Sequence, residues 1–154
     1  MKARTILTSL AVFLLGVGVS LAADANLGTW KLNEAKSKIP AGGTKNTTVV
    51  YAMAGDMVKV TVDGTTGDGK PAHSEWTGKY DGKDYPATGA ADHDSRWYKQ
   101  VDDKTIDFGA KKAGKSIGTG KVVLSADGKS RTVTSTFPGA DGKPVTSTSV
   151  YDKQ

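Results

Sequence analysis

The alternation that decides the fold lies in Met57-Val58-Lys59-Val60-Thr61-Val62-Asp63. Its three valines occupy every second position, so in a β-strand they share one face and the other residues share the opposite face. Burial of one valine side chain stabilises a fold by about 1.5–3 kcal/mol. We therefore expect the valine face to point into the core and to fix the register of this strand.

A tripeptide that is typical of tight turns recurs along the chain. Asp-Gly between alternating segments favours a hairpin, because glycine adopts the positive φ that such turns need. These turns, with similar ones at Gly55-Asp56 and Ala113-Gly114-Lys115, leave segments of roughly 6–11 residues, which suit strands better than helices. The four copies are Asp68-Gly69-Lys70, Asp81-Gly82-Lys83, Asp127-Gly128-Lys129 and Asp141-Gly142-Lys143.

The pattern predicts ten strands and almost no helix. A helical turn is expected only at Asn33–Lys38, before Pro40 and the Gly42-Gly43 pair. In the strand 72–80, Trp76 and Tyr80 share one face. The strands are predicted at 27–33, 46–53, 57–63, 72–80, 84–88, 94–101, 104–111, 115–125, 130–137 and 145–152.

The predicted fold class is all-β, an antiparallel up-and-down β-barrel of about 8–10 strands in a single domain, residues 23–154. Neither face of the last strand is strongly apolar, and a barrel tolerates such strands because its interior can hold water or a ligand. Consecutive short hairpins favour the barrel. The alternative is a sandwich of two sheets.

Residues 1–22 have the pattern of a cleaved secretory signal peptide. Lys2 and Arg4 precede an apolar stretch from Ile6 to Leu21, and cleavage is expected after Ala22 or Ala23. The stretch is interrupted by glycines and is short for a membrane span. We expect a periplasmic or secreted protein with no stable membrane insertion after cleavage, and an uncleaved anchor is the alternative.

Composition excludes several classes of function. The 154 residues make one domain, and the lack of cysteine excludes disulfides, thiolate metal sites and cysteine nucleophiles. The net charge is +5 and falls to +3 without Lys2 and Arg4. The lysines are spread along the chain, whereas nucleic-acid binding calls for a basic patch with exposed aromatic residues. We therefore expect no nucleic-acid partner, and we expect a monomer.

The first predicted strand carries the motif Gly28-Thr29-Trp30. It resembles the Gly-x-Trp motif of the lipocalin and fatty-acid-binding (calycin) barrels. The resemblance implies that Trp30 packs across one end of the barrel against an arginine of a late strand. Arg131 is the candidate for that arginine, and Arg96 is less well placed.

The chain resembles more closely a group of small exported bacterial lipocalin-like proteins of unassigned function. The similarity covers most of residues 27–153, from Gly28-Thr29-Trp30 through the Asp-Gly-Lys hairpins to the ending Val150-Tyr151-Asp152. The second and third lipocalin motifs and a disulfide pair are missing. Haem-binding relatives use a histidine late in the chain, and this chain has none after His93, so we expect no cofactor.

The chain contains little that suggests catalysis. His73 and Glu75 share one face of a predicted strand, and Asp92-His93-Asp94 forms a second polar cluster. Histidine with carboxylates can bind a divalent metal, but no third ligand is specified by spacing. No nucleophile motif or phosphate loop occurs. We expect a non-enzyme with no metal site, and we regard an enzyme as the least favoured hypothesis.

Aromatic side chains are the candidates for a ligand site. Aromatic rings with a polar group suit an amphipathic guest, and packing in the core is the alternative role. Trp97 and Tyr98 are adjacent, so one of them faces outward. Many small polar residues on the inner face predict a partly wet interior. The residues predicted to line a cavity are Trp76, Tyr80, Trp97 and Phe108.

Two functions follow from these observations. The first is an exported, non-catalytic barrel that binds a small hydrophobic or amphipathic molecule in its interior. The second is an interaction or structural module of the cell envelope, with a filled core and no ligand. An internal cavity favours the first function, and its absence favours the second.

Overall fold

Ten antiparallel strands close into one barrel in the computed structural model, which describes residues 25–154. Each strand pairs with its neighbour in sequence, and β1 pairs with β10 to complete the ring. The strands are β1 (Gly28–Leu32), β2 (Lys45–Ala54), β3 (Met57–Thr65), β4 (Pro71–Gly78), β5 (Tyr85–Thr88), β6 (Ser95–Gln100), β7 (Thr105–Lys112), β8 (Lys115–Leu124), β9 (Ser130–Pro138) and β10 (Pro144–Lys153).

The predicted fold class is confirmed, and the two-sheet sandwich is wrong because the sheet closes on itself. Every predicted strand is present with ends within two residues of the prediction. The expected helical turn is a 3-10 helix at Glu34–Lys36, where the side chain of Asn33 accepts a hydrogen bond from the backbone N–H of Lys36. The predicted signal peptide, residues 1–22, lies outside the described residues.

The Asp-Gly-Lys tripeptides form the turns predicted for them. Their glycines all have positive φ, between 68° and 82°. In three of the turns the aspartate carboxylate also accepts the backbone N–H of the lysine, at 3.0 Å, as Asp127 does from Lys129. The aspartate thus satisfies a backbone donor that the turn leaves without a strand partner.

The valine face of β3 points into the barrel as expected. Val60 is 1% exposed and lies between Tyr51 of β2 and Trp76 of β4 in the hydrogen-bonded register. Val58 and Val62 are also buried. The core therefore begins at the segment where alternation is clearest.

Aromatic rings on the sheet lie over glycines of the next strand. Phe108 is directly opposite Gly120, and Trp97 is directly opposite Gly109. A Cβ atom added at Gly109 would be 2.5 Å from the Trp97 ring nitrogen, and one added at Gly120 would collide with the Phe108 ring. The glycines leave room for rings that would otherwise not fit between adjacent strands.

No helix within residues 25–154 is long and apolar enough to cross a membrane.

We expect Val60→Ala to lower the free energy of unfolding by about 2 kcal/mol, because it removes buried apolar surface and leaves a void. Thr61→Ala is the matched control on the outer face of the same strand and should cost less than about 1 kcal/mol. Urea unfolding of both variants measures the difference. Equal losses would contradict the assignment of inner and outer faces.

Candidate functional site

Arg131 and Trp30 lie together inside the barrel, as the Gly-x-Trp resemblance implies. Arg131 is 2% exposed, and its guanidinium carbon is 4.6 Å from the centre of the Trp30 ring. The rings of Tyr51 and Tyr151 surround the same guanidinium at 4.6 and 5.1 Å. Cation–π attraction to three rings stabilises a charge that burial would otherwise penalise.

The backbone before Trp30 is shaped to place its ring. Gly28 has a φ of 114°, a backbone conformation that residues with a side chain rarely adopt. The Trp30 indole N–H donates a 2.8 Å hydrogen bond to the carbonyl of Asn26. The glycine and the tryptophan of the motif therefore have separate tasks, one in the backbone and one in the core.

A row of aromatic rings crosses the barrel from β4 to β9. The Trp76 and Tyr98 ring centres are 4.5 Å apart, those of Tyr98 and Phe108 are 5.7 Å apart, and those of Phe108 and Phe137 are 6.3 Å apart. Tyr80 stacks beside Trp76 at 6.4 Å. Three of the four predicted cavity residues, Trp76, Tyr80 and Phe108, thus lie together, but of these Phe108 alone lines the interior space, while Trp76 and Tyr80 pack behind Tyr98.

Trp97, the fourth predicted cavity residue, does not join them. Tyr98 takes the inner face, because it lies opposite Phe108 in the β6–β7 register. Trp97 must then face outward, where its ring packs over Gly109. Its assignment to the cavity is corrected for this reason, and Tyr98 is the ring that sequence reasoning did not choose.

A small space remains in the interior between the aromatic row and Arg131. Its volume is about 40 Å³, enough for roughly three water molecules and far below the roughly 300–1,000 Å³ of ordinary ligand pockets. Its walls carry apolar groups, phenol groups and two guanidinium groups. The lining residues are Asn46, Val49, Tyr51, Val62, Arg96, Tyr98, Phe108, Val122, Arg131, Val133 and Tyr151.

Several polar atoms at this space are buried without partners. Among the described residues, Nε and Nη1 of Arg131, Nε of Arg96 and the hydroxyl of nearby Tyr80 have no hydrogen-bond partner. The guanidinium carbon of Arg96 lies 5.4 Å from the ring centres of Tyr98 and Phe108. Arg96 was assigned no role at the site from sequence, although its inward orientation follows from that of Tyr98 two residues later.

The phenols of the interior are held in their neutral form. Burial raises the pKa of Tyr80 and of Tyr98, and neighbouring tyrosines add to both shifts. Burial raises the pKa of Tyr151 to about 12 against the opposing effect of Arg131. The Tyr151 hydroxyl donates a 2.9 Å hydrogen bond to the carbonyl of Asn46. Near neutral pH these phenols are therefore hydrogen-bond donors and carry no charge.

The two histidines lie apart from the interior site. His73 Nδ1 is 2.6 Å from Asp63 on the outer face, where Glu75 pairs with Lys59 at 2.8 Å. His93 Nδ1 is 2.8 Å from Asp92 in the β5–β6 loop. Within residues 25–154 no group of three or more metal-ligating side chains is found.

Neither a family model nor a curated protein sequence matches the chain. Among solved structures it is similar to designed β-barrels. EF1p2_mFAP2b bound to DFHBI has a TM-score of 0.50 at 14% identity, covering 88% of this chain and 98% of that chain. The redesigned barrel mFAP1 bound to DFHBI has a TM-score of 0.46 at 16% identity, covering 87% and 100%. A de novo designed fluorescence-activating barrel has a TM-score of 0.46 at 14% identity, covering 86% and 97%.

We expect the barrel to lose stability as the pH rises from about 10 toward 12. Tyr151 has a folded-state pKa of about 12 against an ordinary value of 10.0. Its contribution is complete below the unfolded-state pKa and disappears as the phenol ionises in the folded state. Since a tenfold change in proton affinity corresponds to about 1.4 kcal/mol, the loss of stability from Tyr151 is on the order of 2–3 kcal/mol.

Urea unfolding across this pH range measures the loss, and phenolate absorbance reports ionisation. Tyr151→Phe removes the ionisable group and should flatten the pH dependence relative to the unmodified protein. A single ionisation step for all tyrosines at the ordinary phenol pKa, with no loss of stability, would contradict the buried positions.

Proposed function

We propose that the protein is an exported, non-catalytic, lipocalin-like barrel that binds a small hydrophobic or amphipathic molecule in its interior. The observation that carries the proposal is the set of unpaired donors beside an aromatic wall. Buried polar groups in folded proteins almost always have partners, and a bound molecule would supply the missing acceptors at Arg131 and Arg96.

The two sides of the interior suit the two ends of an amphipathic molecule. Phe108, Val122 and Val133 line the space with apolar groups, while Arg96 and Arg131 offer N–H groups. An aromatic wall with a few directed polar groups is the usual composition of small-molecule sites. The barrel EF1p2_mFAP2b, which shares the fold, is bound to DFHBI in its own structure, so a barrel of this kind can hold a small organic molecule.

The volume of the space limits how a ligand binds. Only about 40 Å³ is open, so a guest larger than a few atoms must displace interior side chains. This same observation favours a second candidate function, an envelope interaction or structural module whose core is filled. The two functions differ in whether a small molecule is retained.

Native mass spectrometry of the protein purified from cells, followed by tryptophan fluorescence during titration with octanol and sodium octanoate, tests the proposal. We expect a retained or added molecule at one per monomer, with a change in emission, because Trp76 packs against Tyr98 and Trp30 against Arg131, and Tyr98 and Arg131 line the space. A protein that retains nothing and responds to neither probe would contradict the proposal and favour the filled-core module.

A pair of adjacent valines provides a matched control. Val122 lines the space and is 3% exposed, whereas Val123 faces outward and is 42% exposed. We expect Val122→Phe to abolish binding by filling the space, and Val123→Phe to leave it unchanged. Urea unfolding of both variants verifies that loss of binding does not reflect loss of the fold.

Export is part of the proposal and rests on the pattern of residues 1–22. When the full chain is expressed in a bacterial host, we expect the soluble protein to begin at Ala23 or Asp24, in the periplasm or the medium. Intact mass and N-terminal sequencing measure this directly. Retention of residues 1–22 in the folded protein would contradict cleavage. We also propose that the protein is of bacterial origin and is a monomer in solution.

A further inference from the structure

The stretch Ala-Asp-Gly-Lys occurs twice in the chain, at Ala126–Lys129 and at Ala140–Lys143. Each copy forms the turn of a hairpin, the first between β8 and β9 and the second between β9 and β10. Because the two stretches are identical, a difference in their chemical reactivity must come from the structure around them. The two turns are therefore a matched pair within one molecule.

The two turns have the same hydrogen bonds at their Gly-Lys pairs. The N–H of Gly128 donates to the carbonyl of Ser125 at 3.1 Å, and the N–H of Gly142 donates to the carbonyl of Gly139 at 2.9 Å. In each turn the aspartate carboxylate accepts the backbone N–H of the lysine at 3.0 Å. The amide nitrogen of the glycine is thus engaged to a similar degree in both turns.

The turns differ in what holds the aspartate side chain. The hydroxyl of Ser125 donates a 2.6 Å hydrogen bond to the carboxylate of Asp127 and is the main cause of the lowered pKa of that carboxyl. The corresponding residue of the second turn is Gly139, which has no side chain. Among the described residues, the carboxylate of Asp141 meets only the backbone N–H and the ammonium group of Lys143. The ammonium is 3.5 Å away and exposed, so it adds little.

The other two Asp-Gly-Lys turns also place a hydroxyl on the aspartate. The hydroxyl of Thr66 donates to Asp68, and that of Tyr85 donates to Asp81 at 3.0 Å. Hydrogen bonds from the Lys70 ammonium and from Thr66 lower the pKa of Asp68 to about 2. Of the four turns, only the β9–β10 turn therefore has no such hydroxyl among the described residues.

The reaction that these contacts oppose is closure of an aspartate on the glycine that follows it. The amide nitrogen of the glycine forms a bond to Cγ of the aspartate, and a carboxyl oxygen leaves as water with its own proton and the amide proton. Water then adds to one carbonyl of the resulting succinimide ring and breaks its bond to nitrogen, which gives aspartate or isoaspartate. An ionised carboxylate is a poor target for the nitrogen, so hydrogen bonds that favour the charged form oppose the first step.

We propose that Asp141 is a site of spontaneous isoaspartate formation in the folded protein, and that the hydroxyl of Ser125 protects Asp127 from the same reaction. This inference goes beyond the proposed function and does not depend on a ligand, since water is the only co-reactant. The product adds one carbon to the main chain of the β9–β10 turn, at the end of β9 away from Arg131. The change falls where this turn lies beside Gly42 of the β1–β2 loop.

A fifth Asp-Gly pair, Asp63-Gly64, lies within β3 and not in a turn. Gly64 pairs with Asn46 of β2 and with Ala72 of β4. The carboxylate of Asp63 is 2.6 Å from His73. A strand that is paired on both sides resists the backbone rotation that ring closure requires, so we expect this pair to react more slowly than the exposed β9–β10 turn.

Peptide mapping after storage of the purified protein at mildly acidic pH tests the proposal. Trypsin, which cleaves after lysine and arginine, places Asp127 and Asp141 in different peptides, and chromatography separates isoaspartate peptides from aspartate peptides of the same mass. We expect isoaspartate to accumulate about 10-fold faster at Asp141, because one hydrogen bond to a charged group is missing there. In urea, where both turns are lost, the two identical stretches should react at similar rates.

Variants of the first turn separate the hydroxyl from the rest of the turn. Ser125→Ala should bring the rate at Asp127 close to that at Asp141, whereas Ser125→Thr keeps a hydroxyl and should keep Asp127 protected. Ser130→Ala is the matched control, because Ser130 contributes only its backbone N–H to this turn, and it should change neither rate. Urea unfolding of each variant verifies that the barrel is intact.

Three results would overturn the proposal. The first is equal rates at Asp127 and Asp141 in the folded protein. The second is a difference that persists in urea, which would assign it to the sequence and not to the fold. The third is an unchanged rate at Asp127 in a folded Ser125→Ala variant, which would remove the role of the hydroxyl.

Discussion

Closure of the sheet into a ring is the constraint on which the rest of the structure depends. Once β1 pairs with β10, every inward side chain must fit within one enclosed space, and every outward side chain meets solvent. The glycine opposite Phe108 follows from this constraint, because the inward ring needs room that a Cβ atom at Gly120 would occupy. The same enclosure leaves Nε of Arg96 and both Nε and Nη1 of Arg131 buried without a hydrogen-bond partner among the described residues.

The interior is divided into regions of different character. Aromatic rings fill the side formed by β4 to β7 and reach Phe137 of β9. The other side contains valines, small serines and the stack of Arg131 with Trp30, Tyr51 and Tyr151. Aromatic rings hold the guanidinium in place by cation–π attraction. They do not supply the acceptors that its N–H groups need. The structural role of Arg131 at the barrel end and its unpaired N–H groups are therefore two consequences of one arrangement.

Strand positions and the inner face of β3 could be predicted because they depend on local pattern. The alternation of Val58, Val60 and Val62 and the Asp-Gly-Lys turns each act over a few residues. The choice between Trp97 and Tyr98 could not be made in this way. Adjacent residues take opposite faces, and which one points inward depends on the β6–β7 register that places Tyr98 opposite Phe108.

The size of the interior space could not be predicted from the sequence at all. It depends on the rotamers of several rings at once, and alternation does not determine rotamers. Arg96 was missed for a related reason. Arg96 shares a face with Tyr98 two residues later, so its inward orientation depends on the same β6–β7 register.

Pairing of β1 with β10 delays folding of the chain during its synthesis. The two strands that complete the ring are separated by almost the whole described chain, so Trp30 and Arg131 cannot come together until β9 has been synthesised, and the ring cannot close until β10 has been. Contacts between distant segments slow folding, because the chain loses entropy before it gains those contacts. A newly made chain therefore stays open until its C-terminal strand emerges, and a truncated one keeps two unpaired edges that invite association with other chains.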